Sequence, residues 1–192
     1  GARPDRFVID GVAYTPFSYA DSIGFRRDDY VALTSFTHLP FFERFVLEIP
    51  DNWAAHATLN IPLDSLMRLL DSALAAGYTA AWDADVSERG FGRRAGIALL
   101  PQQEGRITLP APEIVVDQPL RQRMFDTQAT TDDHVMHIVG TAVDSLGNSY
   151  YKVKNSWGDT GAYHGYLYAS VPFVLYKSTG IMVRKDVLPE DL

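Results

Sequence analysis

Apolar and polar positions alternate at the start of the chain: Phe7-Val8-Ile9 and Val12-Ala13-Tyr14 flank Asp10-Gly11. That dipeptide accepts the positive φ of a two-residue turn, so the pattern predicts an opening hairpin. Pro16 to Ile23 reads as a short helix stopped by Gly24, and Tyr30 to Ser35 as extended. The firmest helical period lies in Pro62 to Ala76. Leu63, Leu66, Leu70 and Leu74 form one apolar stripe, with Pro62 suited to the first turn and Gly77 to the C-terminal cap. Such a stripe needs a partner, and the strands that follow it are the nearest candidates.

Thr79 to Val86 and Gly96 to Leu100 read as extended, Pro101 to Pro112 as a loop, and Pro119 to Thr127 as a helix with Leu120 and Met124 on one face. From His134 onward the period is that of strands: His134 to Val143, a turn over residues 144–148, Ser149 to Asn155, Gly165 to Ala169 and Ile181 to Arg184. Pro172 to Tyr176 is expected to form one helical turn before the last of these. The sum is an α+β fold, an antiparallel β-sheet core with a few packed helices. We expect one domain over residues 1–192: hairpin and extended segments over 1–60, a helix-containing insert over 61–128, and a sheet over 129–192.

Composition narrows the function classes. With 192 residues and 46% hydrophobic content the chain can bury a sizeable core. The net charge of -7 argues against a nucleic-acid partner, which needs clustered Lys and Arg. The nearest basic cluster, Arg89 to Arg94, is broken by Gly90, Phe91 and Gly92 and reads as a solvated loop. No run approaches the roughly 20 apolar residues of a membrane-spanning helix. Zero cysteine excludes disulfides, and the compartment stays open.

The chemistry-bearing residues fall in two segments, Asp133-His134-Val135-Met136-His137 and Asn155-Ser156-Trp157-Gly158. A histidine and an asparagine at this spacing suit a base and the group that orients it, or else two residues that only satisfy local hydrogen bonds. Their natural partner is a thiol, whose proton an imidazole takes to leave a thiolate. The chain has no cysteine. No serine before His134 lies in a nucleophile-elbow context either. If the two flanking strands pair as a simple hairpin, residue 158 rather than Asn155 falls opposite His134. That offset is about 10 Å along a strand, so a bulge or a longer loop is required.

These segments resemble the His and Asn segments of papain-like cysteine peptidases. Thr34 to Phe42, Glu48 to Trp53 and Ala81-Trp82-Asp83-Ala84-Asp85-Val86 resemble the bleomycin hydrolase and aminopeptidase C branch in particular. The likeness runs from about Val8 to Pro189. It implies the His- and Asn-bearing, half-barrel-like part of that fold, peptide hydrolysis at a Cys-His-Asn site, and no cofactor. It further implies that His134 is the base, that Asn155 orients it, and that Trp157 covers the bond between them. Asp133 matches an acidic position of the family or is a solvated loop carboxylate. Val135 lines a substrate pocket or is a strand valine. In such peptidases the cysteine precedes the histidine by roughly 130 to 150 residues, which counts back to Gly1 or beyond.

The chain is therefore expected to be the C-terminal part of a longer cysteine aminopeptidase, inactive alone, with a peptide substrate and a cysteine-bearing N-terminal segment as partners. A short inactive homologue serving as a peptide-binding or regulatory domain is the alternative. The face left bare by the missing segment predicts a homo-oligomer.

Three further groups of residues could bear on function. His134-x-x-His137 beside Asp132 or Asp133 suggests a metal only on a helix, because residues three apart on a strand face opposite ways. Asp83 and Asp85 alternate onto one strand face, the raw material of glycosidase-like acid and base pairs, but lone strand carboxylates commonly face water. Trp53 and Trp82 are expected to anchor a core or an interface.

Overall fold

The computed structural model describes residues 2–102, 112–190 and 192. Most of the loop expected over Pro101 to Pro112 lies outside the described residues. The chain divides into two compact units, Gly1–Tyr30 and Val31–Leu192.

In the first unit, strands β1 (Phe7–Ile9) and β2 (Val12–Tyr14) pair antiparallel about Asp10 and Gly11, whose φ values of 49° and 79° make the tight turn. Helix α1 (Pro16–Ser22) starts at Thr15. Its side chain accepts from the Ser18 N–H while Ser18 Oγ accepts from the Thr15 N–H, a reciprocal cap. Rings of Phe7, Tyr14 and Tyr19 close the unit at 5.3–6.2 Å between centroids.

The second unit is built on a large mixed sheet. Its strands are β3 (Tyr30–Thr34), β4 (Arg44–Val46), β5 (Ala57–Asn60), β6 (Ala80–Ala84), β7 (Phe91–Gly92), β8 (Ile97–Ala98), β9 (His134–Val143), β10 (Ser149–Lys154), β11 (Tyr166–Ser170) and β12 (Ser178–Arg184). They lie in the order β4-β5-β3-β12-β6-β9-β10-β11-β8-β7. The α+β class holds. The sheet is mixed, however, because β3 and β5 run parallel, as do β8 and β11.

Helix α2 (Leu63–Ala75) is the one its leucine stripe predicts. Leu63, Leu66, Leu69, Leu70 and Ala73 are buried, and the helix packs on β6, β9 and β12. Each fully buried leucine contributes about 1.5–3 kcal/mol relative to exposure. Gly77, at φ 83°, carries the chain out of the helix. Helix α4 (Val171–Lys177) buries Phe173 and Val174 beside Trp82, whose indole N–H donates to Ser178 Oγ at 2.7 Å. Trp82 is thus a core anchor, whereas Trp53 is 88% exposed.

Helix α3 (Gln118–Asp126) departs from its apolar pattern. Arg121 and Gln122 are its buried residues, not Leu120 and Met124. The reason is backbone satisfaction: Arg121 donates from Nε to Ser35 O and from Nη1 to Leu175 O, and Gln122 Oε1 accepts from the Thr37 N–H. Asn60 of β5 serves the Phe36 N–H and C=O, and α3 serves Ser35 O and the Thr37 N–H on either side.

Candidate active site

His134 opens β9 and Asn155 follows β10, and both are half-buried. Between Lys152 and Val153 the pairing slips: Lys152 faces Gly140, but Val153 faces Ile138, so Val139 is an extra residue. This bulge decides the site. Without it Asn155 would continue opposite His137, whose side chain leaves the other face of the strand. With it Asn155 continues opposite Met136, on the face that His134 shares. Diagonal neighbours on one face are about 7 Å apart at the backbone, within reach of two side chains. Nε2 of His134 and Oδ1 of Asn155 lie 2.8 Å apart.

The same Oδ1 accepts from the Ser156 N–H at 2.7 Å. A backbone N–H must face the amide oxygen, so the His134 Nε2 carries the hydrogen and donates it to Asn155. Nδ1 is then the nitrogen with a lone pair, able to accept a proton. Asn155 Nδ2 is buried and makes no hydrogen bond among the described residues. The Asn155 N–H donates to Gly165 O at 3.0 Å. Gly165 needs its φ of 85°, and a Cβ there would stand 2.4 Å from Gly158 O.

Trp157 lies on His134, with ring centroids 4.8 Å apart and a 33° tilt. Phe91 meets it edge-on at 6.0 Å. The pattern of the motif named Trp157, but Phe91 sits 66 residues upstream, where spacing offers no signal. Asp133 is exposed and its Oδ1 accepts from the Val86 N–H at 2.9 Å, tying the start of β9 to the end of β6. Val135 is 51% exposed and points away from His134. It pairs with Asp83 across β6 and β9.

The remaining candidates separate. His137 bonds Thr79 Oγ1 at 2.7 Å on the opposite face from His134, so the two rings do not converge on one ion. Among the described residues no group of three or more His, Cys, Asp or Glu is placed to hold a metal. Asp83 and Asp85 also part company. Asp85 is buried against Lys177, with Oδ2 to Nζ at 3.1 Å. Asp83 sits near Asp132 and Asp51, and burial first, then those two charges, push its carboxyl up to about 6.

A raised carboxyl pKa means that the folded state holds the proton more tightly than the unfolded chain. Stability therefore falls as pH rises through about 4 to 6, and the cost is complete above that window. Asp83→Asn is expected to stabilise the protein by on the order of 2 kcal/mol at pH 7 and to leave it unchanged at pH 3.5. Thermal unfolding of both proteins across pH 3.5–8 measures this.

No helix of the described residues is long and apolar enough to cross a membrane. Comparison with known proteins places the chain in a family. The Peptidase C1-like family matches residues 10–192. Aminopeptidase C of Lactococcus lactis subsp. cremoris is 27% identical over 179 residues, and that of Streptococcus thermophilus is 25% identical over 181. These alignments cover 90% and 91% of this chain but 40% of each relative. The chain thus spans about two-fifths of the length of the curated relatives it matches. The crystal structure of PepW from Lactobacillus rhamnosis superposes with a TM-score of 0.70 at 20% identity, covering 96% of this chain and 43% of that one. That likeness speaks to the fold. A family match that runs from residue 10 to residue 192 shows that the chain belongs to the Peptidase C1-like family.

Proposed function

We propose that this chain provides the base and its orienter, His134 and Asn155, for a cysteine aminopeptidase whose nucleophile lies on a segment outside the chain. The observation that carries the reading is the 2.8 Å bond from Nε2–H to Asn155 Oδ1, which leaves Nδ1 as the proton acceptor. A cysteine brought to Nδ1 would give up its proton and attack a peptide carbonyl as the thiolate. The imidazolium returns that proton to the leaving amine, and an acyl-thioester remains. Water then gives a proton to Nδ1 as it attacks the thioester, which releases the acid and restores the thiol. Asn155 holds the ring in one orientation throughout, and Trp157 shields the bond that does so.

The aminopeptidase direction is taken from the relatives' names. With no cysteine among its 192 residues, the chain alone is expected to have no peptidase activity. The same observation favours a second reading, a peptide-binding or regulatory domain that has kept the fold and lost the chemistry. Self-association through exposed apolar residues remains part of the proposal, and light scattering over a wide concentration range measures it.

Mixing the chain with the cysteine-bearing segment of its parent protein and following fluorogenic amino-acid amides separates the two readings. Turnover by the mixture but by neither part supports the split enzyme. Complex formation without turnover supports the binding domain.

A further inference from the structure

Arg93 lies in the turn between β7 and β8, and its guanidinium carbon is 4.3 Å from the centre of the Trp157 ring. The indole therefore touches a cation, the edge of Phe91 and the His134 ring. The turn that carries Arg93 is fastened at both ends. The Gly96 N–H donates to Gly92 O at 2.8 Å, and the Ala162 N–H donates to Arg94 O at 3.2 Å. Gly161, at φ 76°, approaches so closely that a Cβ would lie 2.9 Å from Arg93 O. The loop that follows Trp157 and the turn that bears Arg93 are thus in direct backbone contact. Arg93, Asn155 and Trp157 also line a single small cavity.

Resting on the reading of His134 and Asn155 as base and orienter, we propose that Arg93 is a positioning residue for that base. Its charge over the indole face holds Trp157 down on His134 and keeps water from the His134–Asn155 bond. A guanidinium is suited to this because it is planar, permanently charged and weakly hydrated, so it stacks on an aromatic face at little desolvation cost. Phe91 from the same turn region meets the indole nearly perpendicular to it, and the cation over the indole face is Arg93. The basic cluster around Arg89 to Arg94 is thereby split: Arg93 is engaged with the site although its side chain is exposed.

The test uses the chain itself and needs no peptidase activity, so its failure is distinct from failure of the split-enzyme reading. NMR reports the solvent exchange of the His134 ring N–H and the chemical shift of the Trp157 indole N–H. A cation on an exposed indole shifts an equilibrium about two- to fivefold. Arg93→Gln is therefore expected to speed exchange of the His134 ring proton about two- to fivefold and to move the Trp157 signal. Arg93→Lys, which keeps a cation, should recover most of both, and Arg94→Gln should change neither. Wild-type exchange and an unmoved Trp157 signal in Arg93→Gln would overturn the proposal, as would Arg93→Lys behaving like Arg93→Gln.

Discussion

His134→Ala in the reconstituted peptidase is expected to lower turnover by at least about 10³-fold, since the variant removes both the acceptor of the thiol proton and the donor to the leaving amine. Asn155→Ala should cost less, because it frees the ring to rotate without removing it. The two losses should not add: once the imidazole is gone there is nothing for Asn155 to orient. Kinetics of both single variants and the double variant on one amino-acid amide, at fixed complex concentration, measure all three quantities. A double variant slower than His134→Ala by the full Asn155→Ala factor would mean that Asn155 acts on something other than His134.

Lys177→Met should be the most damaging substitution for stability, at about 3–5 kcal/mol. Lys177 and Asp85 are 2% and 3% exposed, and Nζ also donates to Ala129 O at 2.8 Å and meets Glu88 at 3.0 Å. Burial works to raise the Asp85 carboxyl, but hydrogen bonds from Ser87 and Thr131 together with the Lys177 charge hold it below its ordinary value. Removing Lys177 leaves that carboxylate charged and unpaired in the interior. Because the carboxyl is lowered in the folded state, its contribution is present above about pH 4 and is lost as pH falls through the lowered value. The penalty of Lys177→Met should accordingly be largest at neutral pH and shrink in acid. Urea unfolding at pH 7 and pH 3 measures both, and adding Asp85→Asn should recover part of the loss at pH 7. The pair fastens α4 to Asp85 at the end of β6, one residue before Val86, where Asp133 ties in β9, so its failure reaches the start of the site.

Several parts of this architecture were readable from residue order. The Asp10-Gly11 turn, the leucine stripe of α2 and the long strands β9 and β10 each rest on a local period or a turn residue, which a sequence displays directly. His134 and Asn155 were readable because short flanking motifs surround each of them. That a bulge or a longer loop must bring them together was readable as well, but its position was not. The bulge at Val139 has no marker among the apolar residues around it, and it changes which face Asn155 occupies.

The short strands β4, β5 and β7 were missed for a related reason: two to four residues do not show a period, and their pairing is set by partners far along the chain. The parallel pairs β3–β5 and β8–β11 likewise depend on long connections. Helix α3 misled in the opposite way, because its buried face answers the backbone of residues 35–37 rather than the hydrophobic effect. Lys177 and Asp85, 92 residues apart, carry no sequence sign of their pairing. Arg93 read as solvated because the indole beneath it belongs to a different segment.

In the proposed function His134 presents a proton acceptor to a thiol supplied from outside this chain. The most direct measurement is the rate at which iodoacetamide alkylates the cysteine of the partner segment at pH 6, alone, with this chain, and with the His134→Ala chain. Only a thiolate reacts quickly there, and a free thiol is protonated at that pH. Alkylation is expected to be at least about tenfold faster with the wild-type chain than with the segment alone or the variant. Equal rates in all three, with complex formation demonstrated, would contradict it.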